Sequence, residues 1–297
     1  LNTAISIAKS VGIIENSNEG ILGSELDNYT DEELKSVITK YSVYARVTPE
    51  HKRRIVTVFQ NMGKVVAMTG DGVNDAPAIK DAHVGIGMGI TGTEVTKSVA
   101  DVILLDDSFS TIVDAVEEGR RIYANIRNNI VYSLSSNFAE IFVVLISMIF
   151  GYNILLPIHI LFIDLVTDSI PSICLSYEKS EKDIMNQNPR GLNKPMFTKF
   201  VWGEIVISAI IETAFVLVTY FISLKYFSSD VASTLALLSL VMQEIIYAFS
   251  CRNLKKYIFK EGIFSNKAFN IGISILLIIE ALVFLTPIGN IINVIVV

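Results

Sequence analysis

The feature that most constrains this chain is where its charges are missing. Between Arg127 and Asp164 the only Asp, Glu, Lys or Arg is Glu140. Phe200–Leu224 carries only Glu204 and Glu212, Val231–Cys251 only Glu244, and Ala268–Val297 only Glu280. About 20 apolar residues suffice for one helix to cross a bilayer. The pattern predicts five spans, near 128–150, 155–177, 201–225, 231–250 and 269–286. A mean hydropathy of +0.51 agrees, as does a charged fraction of 18%, against roughly 25% for soluble chains. The loop after the second span carries Lys179, Lys182, Arg190, Lys194 and Lys199; the loop after the fourth carries Arg252, Lys255, Lys256, Lys260 and Lys267. The intervening short loops are almost free of basic residues, so the positive-inside rule puts the N-terminal soluble part in the cytoplasm.

Bulk numbers exclude other classes. A net charge of −6 gives no basic footprint for nucleic acid. Two cysteines, Cys174 and Cys251, both in apolar surroundings, make neither a disulfide framework nor a zinc site. A signal peptide's basic and apolar regions are absent from the start. The chain begins at Leu1 and ends in the short apolar run Ile288–Val297, so it reads as a fragment, truncated before a sixth span.

Residues 1–125 alternate strand-like and helical runs, which predicts a parallel α/β sheet. Strands are expected at Ser42–Val47, Lys64–Thr69, Val84–Ile86 and Val102–Leu105. A helix opens with Thr48 as cap and Pro49 at its first position and runs through Gln60; another covers Asp75–Lys80. Asp27–Lys40 is polar and reads as surface. From Thr111 the chain is helical, and no proline interrupts Ser110–Leu156. Its first half is charged and its second apolar, which predicts a rigid helix half in water and half in lipid. Gly119 is its weak point, read as a close packing contact.

The most informative string is Thr69-Gly70-Asp71-Gly72-Val73-Asn74-Asp75-Ala76-Pro77. Asp71 and Asp75 lie just past the C-terminal end of a strand, where open α/β sheets bind ligands. Such a pair can hold Mg²⁺, which takes one or two carboxylates plus waters and phosphate oxygens. On spacing alone, an Asp/Gly turn with a capping aspartate explains it equally well.

The string resembles the signature of P-type cation-transporting ATPases, whose phosphorylation domain is haloacid dehalogenase-like. Val47-Thr48-Pro49-Glu50-His51-Lys52 resembles that family's phosphate-contacting lysine segment, and Gly87-Met88-Gly89 through Leu104-Leu105-Asp106-Asp107 its following strand and loop. The resemblance covers essentially the whole chain. It implies that Asp71 is a Mg²⁺ ligand, that Lys52 and Asn74 contact the phosphoryl group, and that Asp75 orders the site and shares in the Mg²⁺ centre. It also implies two domains: residues 1–125 as the C-terminal part of the phosphorylation domain and 126–297 as an all-α polytopic transmembrane domain. The family's D-K-T-G-T nucleophile string does not occur here, nor does its T-G-E actuator loop. The ATP-binding domain and the first four spans would belong to a missing N-terminal half. The glycine string 85–92 tempts a dinucleotide reading, which is discounted.

Ionisable groups in a bilayer are costly and mark function. Asn137 and Glu140, three apart, share a helical face, and so do Asp164, Thr167 and Asp168. Pro157 and Pro171 bracket the second set and can free carbonyls as ligands. With Gln243 and Glu244 these make a hard-oxygen site suited to Ca²⁺, and no intramembrane Lys or Arg is there to neutralise the acids. Ser135-Ser136-Asn137-Phe138-Ala139-Glu140 resembles the family's fifth membrane helix, where Asn and Glu are cation ligands; the Asp164–Pro171 string resembles its sixth. Glu244 falls on the eighth-helix carboxylate of sarcoplasmic-reticulum-type calcium pumps. Animal calcium pumps have Asn at Asp164, whereas sodium/potassium pumps and many bacterial calcium pumps have Asp. Sodium/potassium pumps lack the acid at Glu244. The mixed set implies a bacterial-style calcium pump in a plasma membrane. Glu212 and Glu280 match no ligand of the family.

Three functions are weighed. An ATP-driven cation pump, carrying Ca²⁺ or a monovalent ion, accounts for both sites. A membrane-anchored haloacid dehalogenase-like phosphatase needs its own nucleophile and no mid-membrane acids. A non-enzymatic membrane module predicts decay of Lys52, Asp71 or Asp75, all of which are intact.

Overall fold

The computed structural model describes residues 1–181, 183–191, 194–254 and 262–295. Of the basic loop residues, Lys182, Lys255, Lys256 and Lys260 lie outside these described residues. The chain divides into two compact units, Leu1–Val116 with Asn188–Lys194, and Glu117–Gln187 with Pro195–Val297.

The first unit holds α1 (Asn2–Ser10), β1 (Gly20–Leu22), α2 (Gly23–Leu26), α3 (Asp31–Val37), β2 (Val43–Ala45), α4 (Pro49–Asn61), β3 (Ala67–Gly70), α5 (Ala76–Asp81), β4 (Val84–Met88), α6 (Glu94–Val99) and β5 (Val102–Leu104). The strands form two parallel sheets, β1-β2 and β3-β4-β5, joined by the helical crossovers that parallel pairing requires. Four expected strands form; β1 is additional. In α4, the Thr48 hydroxyl accepts from the His51 N–H at 3.2 Å with Pro49 at the first turn. The polar reading of 27–40 needs correction. Leu34 and Ile38 are fully buried and pack with Ile21, Leu26 and Val58. Asp31, Glu32, Glu33 and Lys35 are the solvent face of an amphipathic helix whose apolar residues are too few to stand out.

The helix α7 (Phe109–Phe150) runs unbroken for 42 residues and stops at Gly151, whose φ of +71° suits glycine. No described atom comes within 4 Å of a Cβ placed on Gly119, so the expected close contact there is absent. The second span, Pro157–Leu175, comprises α8 (Pro157–Phe162), a π-turn at Ile163–Thr167 and α9 (Ser169–Leu175). Then come α10 (Lys199–Ser223), α11 (Ser229–Cys251) and α12 (Lys267–Leu285). Among the described residues, five helices are long and apolar enough to cross a membrane.

The second unit's core joins Tyr132 and Val143 of α7 to Ile163, Ile205, Leu237 and Phe269. At one end of the bundle, the Arg252 guanidinium donates to Glu178 at 2.7 Å and lies 5.2 Å from the Phe269 ring centroid. Asn128 donates to the Arg252 carbonyl and Asn266 to the Glu178 carboxylate. This buried network ties α7, α11 and α12 to the chain after α9.

Candidate functional site

In the first unit the site forms where β3 ends. Asp75 is buried, and both of its oxygens are engaged. The Lys52 ammonium donates to Oδ1, and the Gly72 N–H donates to Oδ2 at 3.3 Å. A Cβ on Gly70 would fall 2.4 Å from the Asp75 Cβ, so the strand end must be glycine for the carboxylate to fold beneath it. Asp71 and Asn74 are exposed. Asp71 lines a cavity of about 300 Å³ with Thr69, Met88, Thr91 and Asp107. The structure therefore separates the two aspartates: Asp75 orients Lys52, while Asp71 presents an exposed carboxylate at the sheet edge. That suits Mg²⁺, which needs few protein ligands and keeps its waters.

Asp107 completes this end of the sheet. It accepts from the N–H groups of Gly89 (2.6 Å), Ile90 (3.0 Å) and Thr91 (2.7 Å), and from the Thr91 hydroxyl at 2.8 Å. Burial alone would raise its pKa, but the Ile90, Thr91 and Gly89 donors outweigh that and hold it down at about 2. It fixes the loop that walls the cavity and has no oxygen to spare for a metal.

The second unit gathers acids from all five spans. Glu140 of α7, Asp168, Glu212 of α10, Glu244 of α11 and Glu280 of α12 are all buried. Glu244 lies within electrostatic reach of the other four. Tyr132 donates to Asp168 at 2.9 Å, and Thr167 donates to Glu280 at 2.8 Å. One oxygen of Glu140, one of Glu280 and both of Glu212 and of Glu244 are buried without a hydrogen-bond partner among the described residues. Leaving a buried carboxylate charged and unpaired costs several kcal/mol, roughly, so these acids call for a proton or a cation.

The expected ligands divide. Glu140, Thr167, Asp168 and Glu244 are buried, whereas Asn137 and Asp164 are exposed. The α-helical face assumed for Asp164, Thr167 and Asp168 gives way to a π-turn, in which the Asp168 N–H donates to the Ile163 carbonyl five residues back at 2.9 Å. The wider turn keeps Thr167 and Asp168 inward and leaves Asp164 exposed. Asp164 still acts electrostatically on Glu140 and Asp168. Among the described residues, no three His, Cys, Asp or Glu side chains stand grouped closely enough to hold a metal as they are. Glu212 and Glu280 join the cluster unannounced by the family resemblance. Their signal in the sequence was an isolated acid in an otherwise charge-free span.

Residues 152–295 match the family model described as cation transporting ATPase, C-terminus. The calcium-transporting ATPase 1 of Bacillus cereus is 39% identical over 99% of this chain and 35% of its own length. The chain belongs to the P-type cation-transporting ATPases. The calcium-transporting ATPase 1 of Schizosaccharomyces pombe is 40% identical over 95% of this P-type chain, and the calcium-transporting ATPase of Bacillus subtilis 41% identical over 90%. The chain spans about a third of the length of these relatives. The family match covers the second to fifth spans, while the relatives' similarity takes in the Asp71 loop as well.

Proposed function

We propose that this P-type ATPase chain serves ATP-driven transport of Ca²⁺ through an aspartyl-phosphate intermediate. In this reading the first unit is a haloacid dehalogenase-like phosphorylation domain on the cytoplasmic side of a bacterial plasma membrane, and residues 126–297 form the transmembrane domain. The observation that carries the proposal is the buried acidic cluster with its unpaired oxygens, set in apolar stretches (128–150, 157–175, 201–223, 231–251 and 269–285) without a single Lys or Arg. Calcium is the cation named for the similar pumps, and several carboxylates plus neutral oxygens are the donor set it takes.

Asn137, Glu140, Asp164, Thr167, Asp168 and Glu244 are the proposed ligands of the transported ion. At the sheet edge Lys52, steered by Asp75, meets the phosphoryl oxygens as a point charge, with Asn74 beside it. Mg²⁺ bound at Asp71 supplies neutralisation of phosphoryl charge, which with positioning is most of what phosphoryl transfer needs. The nucleophile and the ATP pocket are proposed to come from the pump's other domains.

The test is ATPase activity of the intact pump in chelator-buffered Ca²⁺, repeated in Na⁺ and K⁺, with radioactive phosphoenzyme labelling alongside. Activity should rise with micromolar Ca²⁺. Asp71→Asn should abolish labelling and leave cation affinity nearly unchanged. Activity driven only by millimolar Na⁺ or K⁺ would overturn the calcium assignment, and normal labelling of Asp71→Asn would overturn the site.

A further inference from the structure

We infer that the groove between α10 and α11 holds a second cation site, for a monovalent ion, centred on Glu212. Glu212 is only 4% exposed, and both of its carboxylate oxygens lack a partner among the described residues. It lines a cavity of about 400 Å³ in which Ser208, Gln243, Tyr247 and Ser250 are the other polar side chains. These positions form two facing polar stripes. Ser208 and Glu212 are four apart on α10; Gln243, Tyr247 and Ser250 follow one face of α11. Polar stripes in otherwise apolar spans are costly and mark ion paths.

The donor set decides the ion. Gln243 spends its amide N–H on the Ser239 carbonyl at 3.0 Å and the Ser239 hydroxyl at 3.2 Å. Its amide oxygen is the end left to face a ligand. Tyr247 is tied to Ser135 of α7 at 3.0 Å. The groove thus offers one formal negative charge and neutral oxygens, which a single positive charge balances. A divalent ion suits the neighbouring acids, several of which act on one another electrostatically. Entry is polar at one end only. Ser250 is exposed beside Cys251, the last residue of α11, while Ile211, Phe215 and Ile246 line the lateral side with apolar surface. From Ser250 to Gln243 is seven residues, about 10 Å along the helix. Asp168 and Glu244 act electrostatically on Glu212, so their charges add to its attraction for a cation.

The site stands on its own observations, whether or not the cluster carries Ca²⁺. The experiment is equilibrium binding of radioactive thallous ion, a K⁺ congener, to the intact protein in saturating Ca²⁺. Bound Ca²⁺ is counted in parallel. Glu212→Gln should bind one thallous ion fewer per chain. Gln243→Met, which keeps the carboxylate, should weaken that ion's binding about tenfold, the scale of one charge-assisted contact, and guards against a misfolded Glu212 variant. Equal thallous binding by wild type and both variants would overturn the site. So would loss of Ca²⁺ rather than thallous ion in Glu212→Gln, which would make Glu212 a ligand of the cluster. Failure of the calcium proposal would look different: no Ca²⁺ bound to wild type.

Discussion

Asp107 sits at φ +50°, a left-handed conformation that aspartate tolerates better than most residues, and spends its carboxylate on three successive N–H groups of the loop after β4. Its pKa of about 2 lies below the ordinary 3.8. A depressed carboxylate contributes stability above its unfolded value, so the loop's anchorage is complete at neutral pH and is lost as pH falls from near 3.8 through about 2. Asp107→Ala should quicken amide exchange of Gly89, Ile90 and Thr91 about tenfold at neutral pH, the scale of one hydrogen bond, while β3 and β4 stay protected. Unchanged exchange at those three amides would show that the loop is held by other means. At this scale the sequence told part of the story. Asp71 and Asp75 stood out as a carboxylate pair past a strand end, while Lys52 and Asn74 came only with the family resemblance. The division of labour between Asp71 and Asp75 was hidden, since it depends on where α4 delivers the Lys52 ammonium. Asp107 was hidden for the same reason. Its partners are 16 to 18 residues away, and no local pattern sets that distance.

Among the elements, the spans were the most legible, because a bilayer imposes a length and a composition on each. The bounds of α10, α11 and α12 fall within about two residues of those the hydropathy implied. The π-turn was not legible. Pro171 lacks the N–H that would bond to the Thr167 carbonyl four residues back, but the shift that follows depends on Thr167 reaching Glu280 of α12 and Asp168 reaching Tyr132 of α7. The amphipathic α3 was missed because only Leu34, with Ile38 just beyond its end, carries the buried side. Gly119 of α7 offers a clean test of element energetics. Its Cβ position is open, and a helix-interior glycine costs roughly 1 kcal/mol relative to alanine. Gly119→Ala should therefore raise the thermal midpoint by a few degrees, measured by scanning fluorimetry in detergent. A lowered midpoint would mean that the helix needs flexibility or a hidden contact at this point.

Across the molecule, charge is distributed in a way that folding alone does not balance. The apolar stretches 128–150, 157–175, 201–223, 231–251 and 269–285 contain no Lys or Arg, yet they bury Glu140, Asp168, Glu212, Glu244 and Glu280. Hydrogen bonds from Tyr132 and Thr167 satisfy only two of the ten carboxylate oxygens in this group. Packing such acids together is tolerable when a cation is part of the folded state, so a cation that fits should stabilise the whole bundle by mass action. At a free concentration 100 times the dissociation constant, that stabilisation is about 2.7 kcal/mol, or a rise in melting midpoint of roughly 5–10 °C for a domain of this size. The intact protein should melt higher in Ca²⁺ than in chelator, and Mg²⁺ at the same concentration should give little, since it demands tighter octahedral geometry and sheds water reluctantly. Asp168→Asn keeps the shape and can still accept from Tyr132, so it should fold in chelator much as wild type does and lose more than half of the Ca²⁺ shift. Equal shifts with Ca²⁺ and Mg²⁺, or an undiminished Ca²⁺ shift in Asp168→Asn, would mean that the buried acids are neutralised without a specific ion.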